Sequence, residues 1–320
     1  MQVYYLTGLG FLFLFAGGEL LVSGGMGLSR ALGVSPLLIG LLVISAGTSA
    51  PEFFIALRAG FEGSPALALG NIVGANIANM LLIAGMAASL NVLPTSPMIV
   101  FRDGGALLLS CLLLAVAAQD GRLGQVDGIL FVFTYVAYAA LSFSVESRRA
   151  SAHVSFVHRA SAQRHRASHP GLGILLVPLG VLLLFFGSNL IVDGATVLAR
   201  NLHLSQAILG LTLLAVGTTL PELVATLVGV VRGHTQLVIG NLIGSCIFNT
   251  LIVLGATAAV TPLDVARELA REDVLFLIAA MAIFVPLLYT GWKLRRSEGV
   301  MLAALYFGYV AVLTWRASVA

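Results

Sequence analysis

Apolar stretches of about 20 residues recur along the whole of this 320-residue chain, and this pattern restricts the fold more than any other feature. A stretch of that length can cross a bilayer as one helix. Of the residues, 59% are apolar and only 10% are charged, whereas soluble domains carry about 25% charged residues. The sequence therefore predicts an all-α membrane protein that crosses the bilayer many times.

Ten transmembrane helices are predicted from these stretches. They lie near residues 3–23, 35–60, 66–88, 98–118, 127–145, 172–196, 205–230, 236–260, 272–290 and 299–317. The first stretch has no basic n-region and no small-residue cleavage site, so we expect a retained span rather than a signal peptide. Cys111 and Cys246 lie inside apolar segments, are too few for a disulfide framework and lack metal-ligand spacing.

One hydrophilic linker, residues 146–171, separates the fifth span from the sixth. Its five arginines and four histidines favour a solvated basic loop over a regulatory metal site or an anionic-lipid site. If this linker is cytoplasmic, both termini lie outside, 11 Lys or Arg residues face the cytoplasm and six face outward. That distribution follows the positive-inside rule and predicts this orientation.

The second half of the chain repeats the first at an offset of 170 residues. Positions that match without a gap include Ser35 and Ser205, Gly47 and Gly217, Pro51 and Pro221, Glu52 and Glu222, Asn79 and Asn249, and Asp103 and Asp273. Each half holds five predicted spans, and an odd number makes the second half enter the membrane the other way up. Such inverted-topology repeats are common among secondary transporters. We therefore expect residues 1–145 to form the first five-helix repeat and residues 172–320 to form the second, inverted repeat.

A glutamate follows a proline inside two of the predicted spans, in "SAGTSAPEFF" at residues 45–54 and "AVGTTLPELV" at residues 215–224. Ser49 or Thr219 can cap a helix there, with the acid three residues later as in a capping box. We expect the proline to break each helix. An intramembrane carboxylate costs about 2.5–3.5 kcal/mol even on lenient insertion scales. Because the two acids, Glu52 and Glu222, are related by the repeat, a bound cation is favoured over capping alone.

Two polar stripes accompany these motifs. The residues at a spacing of four are Asn71, Ala75 and Asn79 in the first half and Asn241, Ser245 and Asn249 in the second. Residues at that spacing share one helical face, and the glycines beside them are expected to let helices approach closely. We predict that Asn79 and Asn249 face a polar cavity, with hydrogen bonding across a helix interface as the alternative.

The chemistry of these side chains favours a hard cation. They offer carboxylates, amides and hydroxyls, with no clustered His or Cys. Calcium takes about 6–8 oxygen ligands and sodium also suits oxygen ligands, whereas zinc and copper normally recruit imidazole or thiolate. One Ca²⁺ neutralises two glutamates, and the emptied pocket needs monovalent cations or protons before it can cross a low-dielectric region. Mutually exclusive occupancy of this kind is the basis of antiport.

The duplicated motifs "GTSAPE" with "GNIVGANIAN" and "GTTLPE" with "GNLIGSCIFN" resemble the paired alpha repeats of the sodium/calcium exchangers, in the cation/calcium antiporter superfamily. The resemblance covers essentially the whole chain and implies exchange of Ca²⁺ for Na⁺ by alternating access at a midplane site. It implies that helices 1 and 6 slide against the other eight. It also implies a multi-pass protein of a prokaryotic cell (inner) membrane, functional as a monomer and without a nucleic-acid partner.

The resemblance implies the ion ligands as well. They are Glu52, Glu222, Thr48, Thr218, Ser49, Thr219, Asn79, Asn249 and Ser245, with Ser45 and Ala215 contributing main-chain oxygens to Na⁺. Ala75 replaces a serine that is common in the family, so one Na⁺ site is expected to lack a hydroxyl. Asn249 replaces an aspartate of the potassium-dependent members, which argues against a K⁺ requirement. Glu19 and Asp193 are expected to be interface or helix-end groups, and no regulation by calcium is expected from the short linker.

Other classes of function fit less well. The chain has no HExxH or GxSxG motif, so we do not expect an enzyme, and we expect no cofactor besides the transported ions. A proton-coupled Ca²⁺ antiporter would use the same two acids and stays open. A cation channel needs a continuous pore, whereas inverted repeats with broken helices favour a single occluded site.

Overall fold

The computed structural model describes residues 2–157, 170–201, 215–265 and 272–319, and these residues are almost entirely helical. The helices are α1 (Gln2–Leu32), α2 (Pro36–Thr48), α3 (Ala50–Phe61), α4 (Pro65–Leu90), α5 (Ile99–Asp120), α6 (Gln125–Val157), α7 (Pro170–Asn201), α8 (Ala215–Val231), α9 (Thr235–Val260), α10 (Val274–Tyr289) and α11 (Arg296–Val319). Four strands of two residues each join them: β1 (Leu93–Pro94), β2 (Arg122–Leu123), β3 (Leu263–Asp264) and β4 (Lys293–Leu294). The sequence analysis did not predict these strands.

Eight helices among the described residues are long and apolar enough to cross a membrane, and the bent pair of α2 and α3 makes a ninth candidate. The shorter apolar helix α8 lies at the seventh predicted span, which begins at residues outside the described ranges. Helix α6 continues to Val157, so the predicted linker begins as helix, and residues 158–169 of that linker lie outside the described ranges.

The helix ends follow from local side-chain chemistry. Ser35 caps α2, since its hydroxyl accepts a hydrogen bond from the Leu38 N–H at 3.2 Å, and Pro36 occupies the first turn. Gly63 follows α3 and Gly233 follows α8, each with a positive φ that glycine adopts without strain. These two glycines lie 170 residues apart, so the repeat extends to the turns.

Several helices contain a π-helical segment. The segments are Gly40–Ile44 in α2, Ala78–Ile83 in α4, Ile99–Gly104 in α5 and Asn249–Leu254 in α9. The segments in α4 and α9 match within one residue under the 170-residue shift. Such segments recur at functional sites because they widen the helix and free backbone carbonyl groups.

The chain forms two compact units, each of which takes residues from both halves of the sequence. The first unit is Met1–Thr48 with Phe133–Gly244, and the second unit is Ser49–Val132 with Ser245–Ala320. One boundary falls at the bend between α2 and α3, and another falls inside α9. Neither unit coincides with a sequence repeat.

In the first unit, α1 and α7 pack along a seam of glycines spaced seven residues apart. Gly10, Gly17 and Gly24 of α1 lie against Gly187, Gly180 and Gly173 of α7, respectively. A Cβ atom added at any of the six would lie within 3.0 Å of an atom of the other helix. Small residues at this spacing allow two membrane helices to approach along their whole length.

The first unit also brings α2 close to α9. A Cβ atom at Gly40 would meet the main-chain O of Leu237, and one at Gly240 would meet that of Leu37. A Cβ atom at Gly244 would meet the main-chain O of Leu41. Close helix approach was predicted for Gly70, Gly74, Gly240 and Gly244, and it is confirmed for Gly240 and Gly244. It is wrong for Gly74, where an added Cβ atom would meet no atom within 4 Å.

In the second unit, α4 packs against α11 and α10 packs against α5. Gly85 of α4 and Gly299 of α11 face each other, and a Cβ atom at Gly299 would lie 2.6 Å from the Gly85 main-chain O. Strands β1 and β4 pair antiparallel, as do β2 and β3, with Leu93 opposite Leu294 and Leu123 opposite Leu263. These short pairs join loops that lie far apart in sequence.

Candidate cation-binding site

The bend between α2 and α3 places Glu52 at the start of a helix inside a membrane span. The two helices meet at 47°, with Ser49 between them and Pro51 in the first turn of α3. Glu52 also lies in that first turn, and its side chain is fully buried. The partial positive charge of a helix N-terminus stabilises a carboxylate there. The predicted break is confirmed at this position.

The predicted capping box does not form at this bend. Ser49 occupies the cap position, but its side chain makes no capping hydrogen bond, and its φ and ψ of −81° and 8° are not the extended values of a usual cap. Glu52 is therefore not explained by the capping box predicted with Ser49.

The matching motif in the second half is different, and the predicted break there is wrong. Helix α8 runs without interruption from Ala215 to Val231, so Thr219 is not a cap. A proline removes only its own N–H, and surrounding contacts can hold the helix together on both sides of it. Pro221 leaves the carbonyl group of Gly217 without an N–H donor from position 221. Glu222 lies two turns into α8, and its side chain is fully buried.

The hydroxyl groups near Glu52 in sequence are held by short polar contacts. Thr48 Oγ1 lies 3.3 Å from Asn241 Oδ1 of α9 and 3.4 Å from the Ser45 main-chain O, so the Thr48 hydroxyl can donate to either. Ser45 Oγ donates to the Leu41 main-chain O at 2.6 Å. The Ser45 hydroxyl is thus used within its own helix, and its carbonyl group is the group that can face an ion.

The first unit collects one group of predicted ligands. Helix α8 packs against the turn Ser45–Thr48 of α2, which brings the Glu222 helix beside Thr48. Thr218 and Thr219 are buried on α8. Ala215 is the first described residue of α8, and residues 202–214 before it lie outside the described ranges.

The second unit collects the other group. Helix α3, which carries Glu52, packs against α4 and against the π-helical segment Asn249–Leu254. Asn79 lies in the π-helical segment of α4, and Ser245 precedes Asn249 by one turn of α9. The side chains of Asn79, Ser245 and Asn249 are all fully buried. The structure therefore places the predicted amides and Ser245 in the same unit as Glu52.

The two predicted amide ligands differ in their hydrogen bonds. Within the described residues, neither the Oδ1 nor the Nδ2 atom of Asn79 has a hydrogen-bond partner. Asn249 Nδ2 donates to Asn76 Oδ1 at 3.2 Å, and Asn249 Oδ1 is a buried atom that has no hydrogen-bond partner in the described part of the chain. Buried amides are normally satisfied, so a polar ligand is expected at these oxygens.

Asn76, which holds Asn249, was not predicted from the sequence as a site residue. The signal was present in the repeat, because the 170-residue shift carries Asn76 onto Cys246 and so breaks the symmetry of the polar stripes. Its role depends on contacts with residues 170 and 174 positions away, which no local pattern shows.

Two further pairs of charged side chains lie in or beside the described helices. Glu19 of α1 accepts hydrogen bonds from the Arg232 guanidinium at 2.8–3.1 Å, as expected for an interface group. Arg102 donates to both carboxylate oxygens of Asp103 at 2.7 and 3.0 Å, and Asp103 is fully buried. None of these four residues is among those predicted to bind the cation.

The chemistry of the predicted ligands is that of oxygen donors. Among the described residues, no group of three or more His, Cys, Asp or Glu side chains is arranged to hold a metal ion. The predicted ligands are instead the carboxylates of Glu52 and Glu222 and neutral amide, hydroxyl and carbonyl oxygens. Such donors fit Ca²⁺ or Na⁺ better than a transition metal.

Comparison with known proteins agrees with this description. The family described as Sodium/calcium exchanger protein matches residues 3–144 and 172–315. Inner membrane protein YrbG of Escherichia coli (strain K12) is 32% identical over 295 residues, which cover 90% of this chain and 89% of YrbG. Sodium/calcium exchanger MaX1 of Methanosarcina acetivorans is 31% identical over 337 residues, which cover 95% and 96% of the two chains.

A solved structure of the sodium-calcium exchanger NCX_Mj, soaked with zero Na⁺ and Ca²⁺, has the same fold. Its TM-score to this chain is 0.81 at 26% sequence identity, with 98% of this chain and 99% of that chain covered. The predicted all-helical membrane fold with two repeated halves is therefore confirmed.

Proposed function

The chain belongs to the sodium/calcium exchanger family, and from that premise we propose that it exchanges Ca²⁺ for Na⁺ across the membrane. It is an integral multi-pass membrane transporter of the cation/calcium antiporter type and not an enzyme. The relatives MaX1 and NCX_Mj are named for sodium and calcium, which supports these two ions as the substrates here. A prokaryotic inner membrane is the proposed location, since the relative YrbG is named an inner membrane protein.

The observation that carries this proposal is the burial of two repeat-related glutamates. Glu52 and Glu222 are both fully buried; Glu52 lies on the bent pair of helices that makes the ninth candidate span, and Glu222 lies on the shorter apolar helix α8. A buried carboxylate is strongly unfavourable unless a cation or a proton compensates it. Two carboxylates and one Ca²⁺ sum to no net charge, and so do two carboxylates and two Na⁺ ions.

We assign the neutral ligands according to the unit in which each lies. In the first unit, Thr48, Thr218 and Thr219 supply hydroxyl oxygens beside Glu222, and the carbonyl groups of Ser45 and Ala215 supply main-chain oxygens. In the second unit, Ser49, Ser245, Asn79 and Asn249 supply oxygens beside Glu52. An amide contributes a dipole but no charge, so Asn249 keeps the formal charge of the ligand set at −2.

Exchange follows from exclusive occupancy of these ligands. When Ca²⁺ leaves, the ligands lose two positive charges in a medium of low dielectric constant, which opposes any movement of the empty carrier. Binding of Na⁺ removes that penalty and permits the return step. The glycine seam between α1 and α7 supports their movement as one pair, because the two backbones are in direct contact along that seam.

The proposal is tested by ⁴⁵Ca²⁺ uptake into proteoliposomes. Vesicles loaded with Na⁺ are diluted into Na⁺-free buffer that contains ⁴⁵Ca²⁺ and a protonophore, and vesicles loaded with K⁺ are the control. We expect uptake only from the Na⁺-loaded vesicles. Uptake that instead requires an imposed pH gradient and stops with protonophore would establish proton coupling, which the same two acids can support.

Two variants and a control test whether Glu52 and Glu222 bind the transported cation. Glu52→Gln and Glu222→Gln should each lower the uptake rate at limiting Ca²⁺ on the order of 100-fold, because each removes one charge from a buried ion site. Glu62→Gln is the matched control, since Glu62 is exposed and its ion pair among the described residues is with Arg58. Wild-type uptake by either of the first two variants would contradict the ligand assignment.

A further inference from the structure

The side-chain amide of Asn76 connects α4 to α9 through three hydrogen bonds. Its Nδ2 donates to Thr250 Oγ1 at 2.9 Å and to the Cys246 main-chain O at 3.3 Å, and its Oδ1 accepts from Asn249 Nδ2 at 3.2 Å. All four side chains are fully buried in the second unit. We propose that Asn76 is a positioning residue that turns the carbonyl oxygen of Asn249 toward the transported cation. This inference rests on the function proposed above.

The orientation of both amides follows from one main-chain carbonyl group. The Cys246 carbonyl can only accept a hydrogen bond, so Asn76 must present its Nδ2 on that side. Its Oδ1 then faces Asn249, which must present Nδ2 in turn. The Asn249 carbonyl oxygen consequently lies on the side away from Asn76. The assignment of both amides thus follows from the hydrogen-bond network.

The oxygen oriented in this way is buried and available. No described residue donates a hydrogen bond to Asn249 Oδ1, and a buried acceptor without a donor is unfavourable. Helix α3, which carries Glu52, packs against the segment that begins at Asn249. A cation held by the carboxylate is the ligand that this oxygen can bind.

The other repeat has no equivalent of this arrangement. Cys246 stands at the position that matches Asn76, and its Sγ atom lies 3.7 Å from the Asn76 main-chain O. Asn76 donates through Nδ2 and accepts through Oδ1 at the same time. A thiol has no such pair of groups on opposite sides, so Cys246 cannot fix the orientation of an amide in this way. Asn79 accordingly has no hydrogen-bond partner among the described residues. Hydrogen bonds therefore fix the orientation of the Asn249 amide, whereas no hydrogen bond from a described residue does so for Asn79.

A double-mutant cycle tests this role by calorimetric titration of Ca²⁺ into the purified full-length protein in detergent. Asn76→Leu removes the acceptor for Asn249 Nδ2, so the fraction of protein with a correctly oriented oxygen falls. We expect the Ca²⁺ dissociation constant to rise about tenfold, in proportion to the loss of that competent fraction. In an Asn249→Asp background both side-chain ends are oxygens, so the same change should alter the constant less than twofold.

A role limited to helix packing predicts a different result, because Asn76→Leu would then raise the Ca²⁺ dissociation constant by the same factor in both backgrounds. An equal rise of the dissociation constant in the wild-type and Asn249→Asp backgrounds would overturn the proposal. An unchanged dissociation constant in Asn76→Leu would overturn it as well. If Asn249→Asp does not bind Ca²⁺, Asn249→Ala replaces it as the background without an amide to orient. If Asn76→Leu is not recovered as monodisperse protein, Asn76→Ser replaces it, since its hydroxyl is too short to bridge to Asn249.

Thr257→Val controls for the loss of a buried polar group on the same span. The Thr257 hydroxyl donates only to the Val253 main-chain O of its own helix, so this variant should bind Ca²⁺ as the wild type does. Failure of the proposed function is recognised separately, as an absence of Na⁺-driven uptake by the wild type. Calcium binding and its dependence on Asn76 can be measured in either case.

Discussion

Replacement of Gly24 by alanine is expected to separate α1 from α7, whereas the same replacement at Gly27, one turn later, is not. A Cβ atom at Gly24 would lie 2.9 Å from both Leu176 Cβ and Val177 N, well inside ordinary contact. At Gly27 the nearest atom, Gly173 Cα, is 3.5 Å away, which is ordinary van der Waals contact. The two variants therefore carry the same chemical change on the same helix and differ in the space available.

The expected difference in stability follows from these distances. To accept the methyl group at Gly24, the helices must part by about 0.5 Å, which forfeits about a quarter of each local dispersion contact. Overpacking of this kind costs about 1–3 kcal/mol, whereas alanine is favoured over glycine in a helix by about 1 kcal/mol. At Gly27 only the second contribution applies. Gly24→Ala should thus be less stable than Gly27→Ala by about 1–3 kcal/mol.

Heating of the detergent-solubilised protein, followed by size-exclusion chromatography, measures this difference. We expect the temperature that halves the monodisperse peak to be a few degrees lower for Gly24→Ala than for Gly27→Ala. Sodium-driven Ca²⁺ uptake by Gly27→Ala should match the wild type. Equal melting temperatures for the two variants would refute close backbone contact as the basis of the seam.

The remaining predictions concern groups outside the cation site. Asp103→Asn leaves the largely buried Arg102 without its carboxylate and should lower the free energy of unfolding by about 3 kcal/mol. The exposed control Glu62→Gln should lower the free energy of unfolding by less than about 1 kcal/mol. Similar melting temperatures for the two variants would contradict this prediction. Burial and two nearby arginines lower the pKa of His234 below its ordinary value of 6.5. Protonation is therefore less favourable in the folded protein, so this stabilisation is complete above pH 6.5 and is lost as the pH falls below it. His234→Gln should reduce the acid-side fall in melting temperature between about pH 6.5 and 5, and unchanged slopes would exclude this role.

The helices and the two acids could be predicted from the sequence because their signals are local. Apolar stretches of about 20 residues report the membrane spans, since bilayer thickness sets helix length. The 170-residue repeat relates Glu52 to Glu222 without any knowledge of the fold. Close approach to another helix was predicted for Gly240 and Gly244, because glycine is the residue that permits it. The structure shows that this other helix is α2.

The two proline motifs show where local pattern becomes insufficient. "SAPE" and "TLPE" have the same capping signature, yet the chain bends at Ser49 and continues as a helix through Pro221. A proline weakens a helix by one hydrogen bond, and the surrounding contacts decide whether the helix then bends. Those contacts come from other helices, so the motif alone could not distinguish the two cases.

By itself, the sequence determined that this chain is a membrane protein built from two related halves, with one intramembrane glutamate in each that the repeat relates to the other. Hydropathy and repetition carry that information because they depend on residue type and spacing alone. Only the tertiary structure decided which amide oxygen is oriented, because Asn76 meets Cys246 and Asn249 across 170 and 173 residues of chain. The direction of a hydrogen bond depends on groups that folding brings together. For this reason the two repeat-related asparagines, Asn79 and Asn249, differ in their hydrogen bonds although they match in the sequence.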